Sequence, residues 1–446
     1  LPGDARQTTQ LGRMRFAVTR SPQPVAPDYG WAAGLALDKP APQRTAAERA
    51  VLFTAWRKTV AQLADINQAI ETWQRTFPEA PTSVLHLAAR RQEEARDTFL
   101  LDRGAWDQPL RKVVPHVPAV LHALPAAGGV DRLAFARWLA DRRSPLTARV
   151  QVNRVWQAMF GRGLVATPED FGTRAEKPVH LELLDWLAVD LMENDWSVKH
   201  LIRTIVTSRT YQQDSRVTAA ARQADPENRW LARGPRFRAE AEVVRDIALS
   251  VAGLLHPRIG GPSIYPPVPQ SVLNDNFTRP DYWLPPPPPE RYRRALYLFR
   301  KRSMPDPVLS TFDAPNADFA CARRVRSNTP LASLVSMNEP VFVAASRGLA
   351  LRILAEGGAT DVSRVDYAYR LCTGRAVRSQ EQEVVLGLLE SRRRELAQKP
   401  ASAREMLLDD QDRLPSQVSE AGIVEGAAWM VVARVLLNLD ETLTKN

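Results

Sequence analysis

Apolar residues along most of this chain recur at intervals of three and four, the spacing that places them on one side of an α-helix. The first such stretch, 45–75, opens with Thr45 and Glu48, the signature of a capping box. After residue 128 the spacing returns and largely persists. It predicts helices capped by Asp131, Thr147, Ser197 and Thr329, and others over about 179–193, 238–255, 340–355, 362–373, 380–396 (with Ser379 and Gln382 as a capping box) and 425–443. The pattern therefore predicts a mainly α protein.

Other patterns divide the chain. Alternating polar and apolar residues over 13–18 predict a short strand in an irregular N-terminal region, and prolines over 76–128 favour extended backbone. We expect three parts: residues 1–44, the tail of a preceding β-rich module with a linker; 45–127, a helix and a proline-rich strap; and 128–446, a multi-helix globular domain with a proline- and aromatic-rich loop at about 257–290.

The loop at 257–290 is long, and loops of this length are uncommon unless they bind something or cover a core. Its aromatic side chains either pack onto the domain or present a docking surface to a partner. These docking candidates are Tyr265, Phe277, Tyr282 and Trp283.

Composition limits the function classes. The chain has 446 residues, of which 44% are hydrophobic and 25% charged, as is typical of globular proteins. Its net charge is +10, but the basic residues are interleaved with acids and accompany no recognition motif, so nucleic-acid binding is not expected. No run of 18 apolar residues occurs, so we expect no transmembrane segment. The sequence has no C-x-x-C-H motif and only two cysteines, so neither attached haem nor a metal site is expected.

One group of polar residues surrounds the helices predicted between 147 and 206. The binding candidates there are Asn153, Arg154, Trp156, His180 and His200. The carboxylates Asp170, Glu182 and Asp185 are candidates for acid–base catalysis. A buried Arg154–Asp170 ion pair that joins two helices is the structural alternative. The G-x-G-x-x-A pattern at 161–166 lacks a preceding strand, so Gly161 is expected to end a helix.

A second polar group surrounds the 315–330 loop. Its members are Asp313, Arg323, Arg324, Arg326, Asn328 and Asn338. An anion site is one interpretation, because the guanidinium fork matches carboxylate or phosphate oxygens. Structural pinning of the loop is the other, and the sequence does not separate the two.

The segments 153–156 (NRVW), 160–165 (FGRGLV) and 167–172 (TPEDFG) strongly resemble motifs of the planctomycete PSD family. This domain of unknown function is commonly fused to planctomycete cytochrome c domains. Further matching segments follow in order as far as 433–441, so the resemblance covers about 128–446 and implies that the chain is the C-terminal part of such a protein.

The resemblance implies an extracytoplasmic (periplasmic or cell-surface) location and partners that carry haem, but it brings no established catalytic residues. The position of Cys372 is usually apolar in this family, so a Cys321–Cys372 bridge would be a peculiarity of this chain.

From these observations we expect a non-catalytic extracytoplasmic scaffold or docking subunit of a larger surface or membrane-bound assembly, including one that contains cytochromes and transfers electrons. Its partners would be other protein subunits, and it would hold no cofactor of its own. The alternative is an extracellular carbohydrate-active or sulfated-polysaccharide hydrolase that uses carboxylates. The sequence leans against an enzyme, because H-E-x-x-H, G-x-S-x-G and P-loop motifs are missing.

Overall fold

The computed structural model describes residues 30–76, 96–124, 130–268 and 283–445. These residues contain sixteen α-helices and two small antiparallel sheets, which confirms the prediction of a mainly α protein. The chain divides into two compact units, residues 1–83 and 84–446. The strand predicted over 13–18 lies outside the described residues.

The described part of the first unit is three helices: α1 (Gly30–Leu37), α2 (Ala46–Arg57) and α3 (Ala64–Arg75). The capping box at the start of α2 is confirmed, because the Thr45 side chain accepts from the Glu48 amide and the Glu48 carboxylate accepts from the Thr45 amide. The expectation of one helix over 45–75 is wrong. The helix ends after Arg57, whose carbonyl accepts a hydrogen bond from the side chain of Asn67 in α3.

The described part of the second unit begins with a hairpin within the predicted strap. Strands β1 (Thr98–Leu101) and β2 (Pro109–Val113) pair in antiparallel register. Five helices follow: α4 (Arg132–Leu139), α5 (Thr147–Phe160), α6 (Leu181–Glu193), α7 (Val198–Val206) and the short α8 (Ala219–Ala224).

Local capping signals were mostly correct in this region. Asp131 accepts from the Ala134 amide and Ser197 from the His200 amide, as predicted. Gly161 adopts φ +82° and ends α5, also as predicted. The prediction that Thr147 caps α5 is wrong, because Thr147 is the first residue of the helix and Leu146 occupies the cap position. The Thr147 hydroxyl contacts the Ser144 hydroxyl.

The rest of the unit is built around one buried helix. Strand β3 (Phe237–Arg238) precedes eight helices: α9 (Ala241–Val251), α10 (Pro307–Thr311), α11 (Pro330–Asn338), α12 (Pro340–Glu356), α13 (Asp361–Thr373), α14 (Ser379–Ala397), α15 (Pro400–Leu407) and α16 (Ile423–Leu437). Helices α11 to α15 all contact α16. The predicted Thr329 cap is confirmed. The predicted capping box of Ser379 with Gln382 is wrong, because the N-cap position of α14 is Arg378, whose backbone amide donates to the Glu381 carboxylate.

The described residues form two large hydrophobic cores and a small cluster of Trp283 with Met304. The smaller core joins α5, α6 and α7 through residues such as Val152, Leu191 and Leu201, and the larger joins α9 with α12 to α16. Strand β4 (Thr444–Lys445) pairs with β3 beside the smaller core. There Lys445 Nζ donates to the Met159 carbonyl and lies 2.6 Å from the Tyr211 hydroxyl.

The aromatic loop packs down at both of its described ends. Trp283 is only 7% exposed, its indole N–H donates to the Pro266 carbonyl, and its ring contacts Tyr265. Trp283 therefore packs onto the domain and is not part of an exposed docking surface, contrary to its selection as a docking candidate. Tyr265 lies beside it and is half-buried. Phe277 and Tyr282 lie outside the described residues.

The possible Cys321–Cys372 disulfide is not formed, because both cysteines are free. Cys372 is buried in the larger core on α13, and burial raises the pKa of its thiol to about 12. Cys321 is exposed in the loop before α11. Among the described helices, none is long and apolar enough to cross a membrane.

Candidate functional site

A small cleft of about 60 Å³ opens where the end of α5 meets the start of α6 and the 225–231 loop. The segments that line it come from three separate stretches of sequence, so the fold alone brings them together. The lining residues used below are Trp156, Phe160, Arg162, Gly163, Glu176, His180, Glu227 and Arg229. Of the binding candidates named from the sequence, Trp156 and His180 line this cleft.

The floor of the cleft is held by Asn153, which is fully buried. Its side chain accepts from the Val165 amide at 2.8 Å and donates to the Val165 carbonyl at 3.1 Å. The chain passes so close that a Cβ on Gly163 would lie 2.6 Å from Asn153 Nδ2. Asn153 therefore holds the loop after α5 in place and is not open to a ligand.

The apolar wall of the cleft is an aromatic stack. The rings of Trp156 and Phe160 lie parallel with centroids 4.1 Å apart, and Tyr211 meets Phe160 edge-on. Trp156 is almost completely buried. Its main contribution is to shape the wall rather than to offer a free ring face.

The rim of the cleft is a balanced set of charges. Arg162 contacts Glu227, and its Nη2 lies 3.8 Å from Glu176 Oε2. Arg229 contacts the same Glu176, and its carbonyl oxygen lies 3.1 Å from His180 Nε2. The rim can therefore offer guanidinium donors and carboxylate acceptors to a polar ligand. The glutamates are half or more exposed, so each rim ion pair contributes little to stability.

The loop that carries Glu227 and Arg229 is anchored by buried Asp225. Its carboxylate accepts from the Arg229 amide at 2.8 Å and from the Trp230 amide at 2.9 Å. Burial opposes ionisation of Asp225, but these two hydrogen bonds together with the nearby charges of Arg233 and Arg229 outweigh it and lower the pKa of the carboxyl. Asp225 is thus a fixed anion that positions the rim.

The three candidate catalytic carboxylates make separate contacts. Asp185 accepts from Arg149 Nε at 2.6 Å, and this hydrogen bond lowers the pKa of its carboxyl, so it is poorly suited to act as an acid. Asp170 accepts from the Gly172 amide, and Glu182 is exposed in the first turn of α6. None of the three lines the cleft.

The alternative of a buried Arg154–Asp170 ion pair is also wrong, because Arg154 is exposed. The arginine near Asp170 is Arg174, whose Nη2 lies 3.9 Å from Asp170 Oδ2. His200 does not join the cleft either. Its Nε2 lies 2.9 Å from Asp190 Oδ2, a contact between α7 and α6.

The second polar group pins the loop before α11. Arg324 binds Glu240 and Glu242, and Arg326 binds Glu240 and the Gly161 carbonyl. Other members make similar contacts within the chain: Asp313 with Ser327, Arg323 with Glu169, Asn328 with Arg238, and Asn338 with the Leu334 carbonyl. Because carboxylates of the chain occupy both arginine forks, the geometry favours loop pinning over an anion site.

Sequence reasoning missed the rim residues and one buried charge cluster. Arg162, Glu176, Glu227 and Arg229 lie within or beside segments that carry the family resemblance, but nothing local marks them as neighbours. Among the described residues, no group of three or more His, Cys, Asp or Glu could hold a metal ion.

The missed buried cluster consists of Arg245, Asp306 and Glu339. The Arg245 guanidinium donates to two backbone carbonyls of the 291–293 segment. Burial raises the pKa of both carboxyls, that of Glu339 to about 7. Both carboxylates accept from backbone amides at helix starts, which explains why they are held inside.

Comparison with known proteins gives one match. The model of a family described as "PSD1: Protein of unknown function (DUF1553)" matches residues 131–389, more than half of the chain and including every residue that lines the cleft. No curated protein and no solved structure matches. Helices α15 and α16 lie outside the matched range but belong to the same core as α12 to α14.

Proposed function

The chain belongs to the PSD1 family (DUF1553), whose function is unknown, and we propose that it is a non-catalytic, extracytoplasmic docking subunit of a larger protein assembly. The observation that carries the proposal is a set of large apolar side chains left exposed on helices whose opposite sides are buried. Exposed apolar groups of this kind commonly mark interaction sites.

Helix α6 is one such element. Trp186 is 57% exposed and Val189, three residues later, is 39% exposed, whereas Leu184, Leu187 and Leu191 are buried in the smaller core. Helix α11 is another, with Leu331, Leu334 and Met337 exposed. Both helices are packed against other helices and are already ordered, so covering them with a partner costs little conformational entropy in this chain.

The cellular setting is supported by the resemblance to proteins in which this domain is fused to cytochrome c domains. This chain has no C-x-x-C-H motif, so a covalently attached c-type haem in the assembly would belong to another module or subunit. We propose that the assembly lies outside the cytoplasm, at the cell surface or on a membrane, and handles electrons.

The test is native purification of the tagged protein from source envelopes, followed by mass spectrometry of bound subunits. Trp186→Asp and Leu334→Asp are compared with the matched control Val384→Asp, a single exposed valine on α14. We expect a stoichiometric protein partner that is lost in one or both test variants and retained in the control. A chain that purifies alone under mild extraction contradicts the proposal.

A hydrolase that uses carboxylates is the second candidate, favoured by the two glutamates on the cleft rim. Glu176 and Glu227 both contact Arg162, and acid–base hydrolysis of a glycosidic bond needs two carboxyl groups. The test is hydrolysis of sulfated polysaccharides by the protein and by Glu176→Gln and Glu227→Gln. Turnover abolished by either substitution, with Asp185→Asn as the control, would establish this function instead.

A further inference from the structure

We propose that a cavity formed by residues 300–317 binds a small organic anion, with an apolar body of about one ring and one carboxylate, sulfate or phosphate group. The cavity has a volume of about 240 Å³, against about 60 Å³ for the cleft at the end of α5. The described residues that line it all belong to this one stretch of chain, which contains α10. This binding site goes beyond the docking function proposed above and does not depend on it.

The polar wall of the cavity is basic. It consists of three consecutive residues, Arg300, Lys301 and Arg302. Among the described lining residues, Asp306 has the one carboxyl group, and it caps α10. Arg302 is weakly paired, because its Nε lies 3.7 Å from Asp318 Oδ1 and its side chain is 71% exposed. A concave wall with an excess of one charge concentrates ions of the opposite sign, so this wall favours an anion.

Arg300 contributes a cation that is balanced only in part. Its guanidinium binds Glu242 of α9, which also binds Arg324. Arg324 in turn shares Glu240 with Arg326. Three guanidinium groups thus meet two carboxylates, which leaves one positive charge in a cluster that reaches the cavity through Arg300. An anion in the cavity would supply the missing charge.

The remaining lining sets the size and the apolar character of the ligand. Most of these residues are apolar, namely Pro305, Leu309, Ala314, Pro315 and Ala317. An apolar cavity of about 150 Å³ holds a benzene ring, so a cavity of about 240 Å³ has room for one ring and an anionic group. Small-molecule sites typically combine an apolar wall with a few polar groups that fix the orientation of the ligand.

The loop after α10 is held in a defined conformation. Asp313 and Ala317 have φ values of +62° and +66°, in the left-handed region that residues other than glycine rarely adopt. The Asp313 carboxylate accepts from the amide and the hydroxyl of Ser327, and the Ala314 amide donates to the Leu309 carbonyl. Backbone held in this region is concentrated at ligand-binding and active sites. This side of the cavity is therefore fixed without a ligand.

The experiment is calorimetric titration of the full purified protein with three ring anions: benzoate, phenyl sulfate and phenyl phosphate. Benzamide, which lacks the charge, and inorganic sulfate and phosphate, which lack the apolar body, are the comparisons. We expect at least one ring anion to bind with one-to-one stoichiometry, about tenfold or more tighter than benzamide and the inorganic anions. Binding of none of the ring anions, or equal binding of a comparison compound, overturns the inference.

Two substitutions place the bound anion in the cavity. Arg302→Met should weaken its binding by about tenfold or more, whereas Arg413→Met, at a similarly exposed arginine paired with one aspartate, should not. Ser310→Leu should abolish binding by filling the cavity, and Ser391→Leu, at an exposed serine of α14, is its control. Arg302 and Ser310 are exposed, so both variants should keep the Tm of the natural protein. Unchanged affinity in either variant overturns the inference.

An acidic side chain of a protein partner is the alternative occupant. If Arg302→Met loses the partner in the envelope purification and no ring anion binds, the cavity belongs to the partner, which overturns this inference and leaves the docking function intact. Binding of a ring anion by a chain that purifies alone has the opposite meaning, because it supports the cavity as a small-molecule site and contradicts docking.

Discussion

At the scale of single residues, Asn153 and Gly163 occupy the same narrow space where α5 meets the following loop. The Asn153 side chain satisfies both backbone groups of Val165, and the missing Cβ of Gly163 allows this approach. The asparagine of the NRVW segment and the second glycine of FGRGLV therefore form one structural unit. The two residues depend on each other, because the Asn153 side chain occupies the space that a Cβ at position 163 would fill.

We predict that Gly163→Ala destabilises the protein by about 1–3 kcal/mol, because its Cβ would lie 2.6 Å from Asn153 Nδ2 and from the Val165 carbonyl oxygen. Urea unfolding measures the change. The control is Gly387→Ala in α14, where a Cβ would meet no atom within 4 Å. It should be neutral or stabilising by about 0.5–1 kcal/mol. Equal effects of the two substitutions would contradict the proposed packing.

Glu339 predicts a pH dependence of stability. Its folded pKa of about 7 lies above its ordinary value of 4.5, because the carboxyl is buried and lies near Asp306. Between these pH values the native state holds a proton that the unfolded state has lost, so stability falls as pH rises from 4.5 to 7. Below pH 4.5 both states are protonated and the effect is absent.

Glu339→Gln should therefore be more stable than the natural protein by about 1–3 kcal/mol at pH 8, with the difference vanishing near pH 4.5. The glutamine carbonyl can still accept from the Val341 amide, as Glu339 does. Chemical unfolding at a series of pH values measures the difference. Glu383→Gln, at an exposed position of α14, is the control and should show no such trend. A constant difference across the pH range would argue against a protonated Glu339.

At the scale of elements, arginines that each bind two carboxylates connect the helices around α16. Arg393 of α14 binds Asp361 at the start of α13 and Glu425 in the first turn of α16. Glu425 also accepts from the indole N–H of Trp429, the largest fully buried side chain. Arg375 similarly joins Glu381 to Glu441. The starts of α13 and α16 are thus both fixed by the one guanidinium of Arg393, a stronger restraint than a single surface pair.

We predict that Arg393→Met lowers the free energy of unfolding by about 1–3 kcal/mol, because two half-buried carboxylates lose their hydrogen-bonded cation and keep only the more distant Arg364, at 3.7 Å from Asp361 and 3.8 Å from Glu425. The neighbouring Arg394→Met is the control, since Arg394 is exposed and makes only a 3.4 Å contact with the Glu390 carbonyl. Thermal and urea unfolding of both variants provide the measurement. A loss as small as that of the control would show that the network adds little to stability.

At the scale of the whole second unit, the two hydrophobic cores are linked through β3 and β4. Lys445 donates from β4 to the carbonyl of Met159 in α5 and lies 3.9 Å above the Tyr211 ring. Arg326 makes a second link, because it binds both the Gly161 carbonyl and Glu240 before α9. The cleft at the end of α5 therefore depends on contacts with residues far along the chain.

We predict that Lys445→Met increases amide hydrogen exchange in α5 and β3 while leaving α12 and α16 protected, with a cost of about 1–2 kcal/mol. The reason is that the lost hydrogen bonds and cation–π contact join the smaller core to β4. Lys399→Met is the control, because Lys399 is exposed and its Nζ lies 3.5 Å from the carboxylate of Glu395, near the end of α14. Uniformly faster exchange in both cores would contradict this local linkage.

Some helix caps were predicted correctly and others were misplaced by one residue. Helix caps at Thr45, Asp131, Ser197 and Thr329 were predictable because a cap and the amide that it binds are only three residues apart. The caps of α5 and α14 were misplaced by one residue. In both, a plausible hydroxyl stands next to the true start of the helix.

The sequence by itself determined the helical class and most helix positions, because periodicity and capping act between residues a few positions apart. Only the tertiary structure decided which carboxylates meet which arginines, as in Arg162 with Glu227 or Arg324 with Glu242, since such pairs join residues 65 to 82 positions apart. It also decided which side of α11 is exposed. A helix with no charged residue and with apolar residues on both of its sides has no sequence signal for its solvent side, so burial is set by the elements that pack against it.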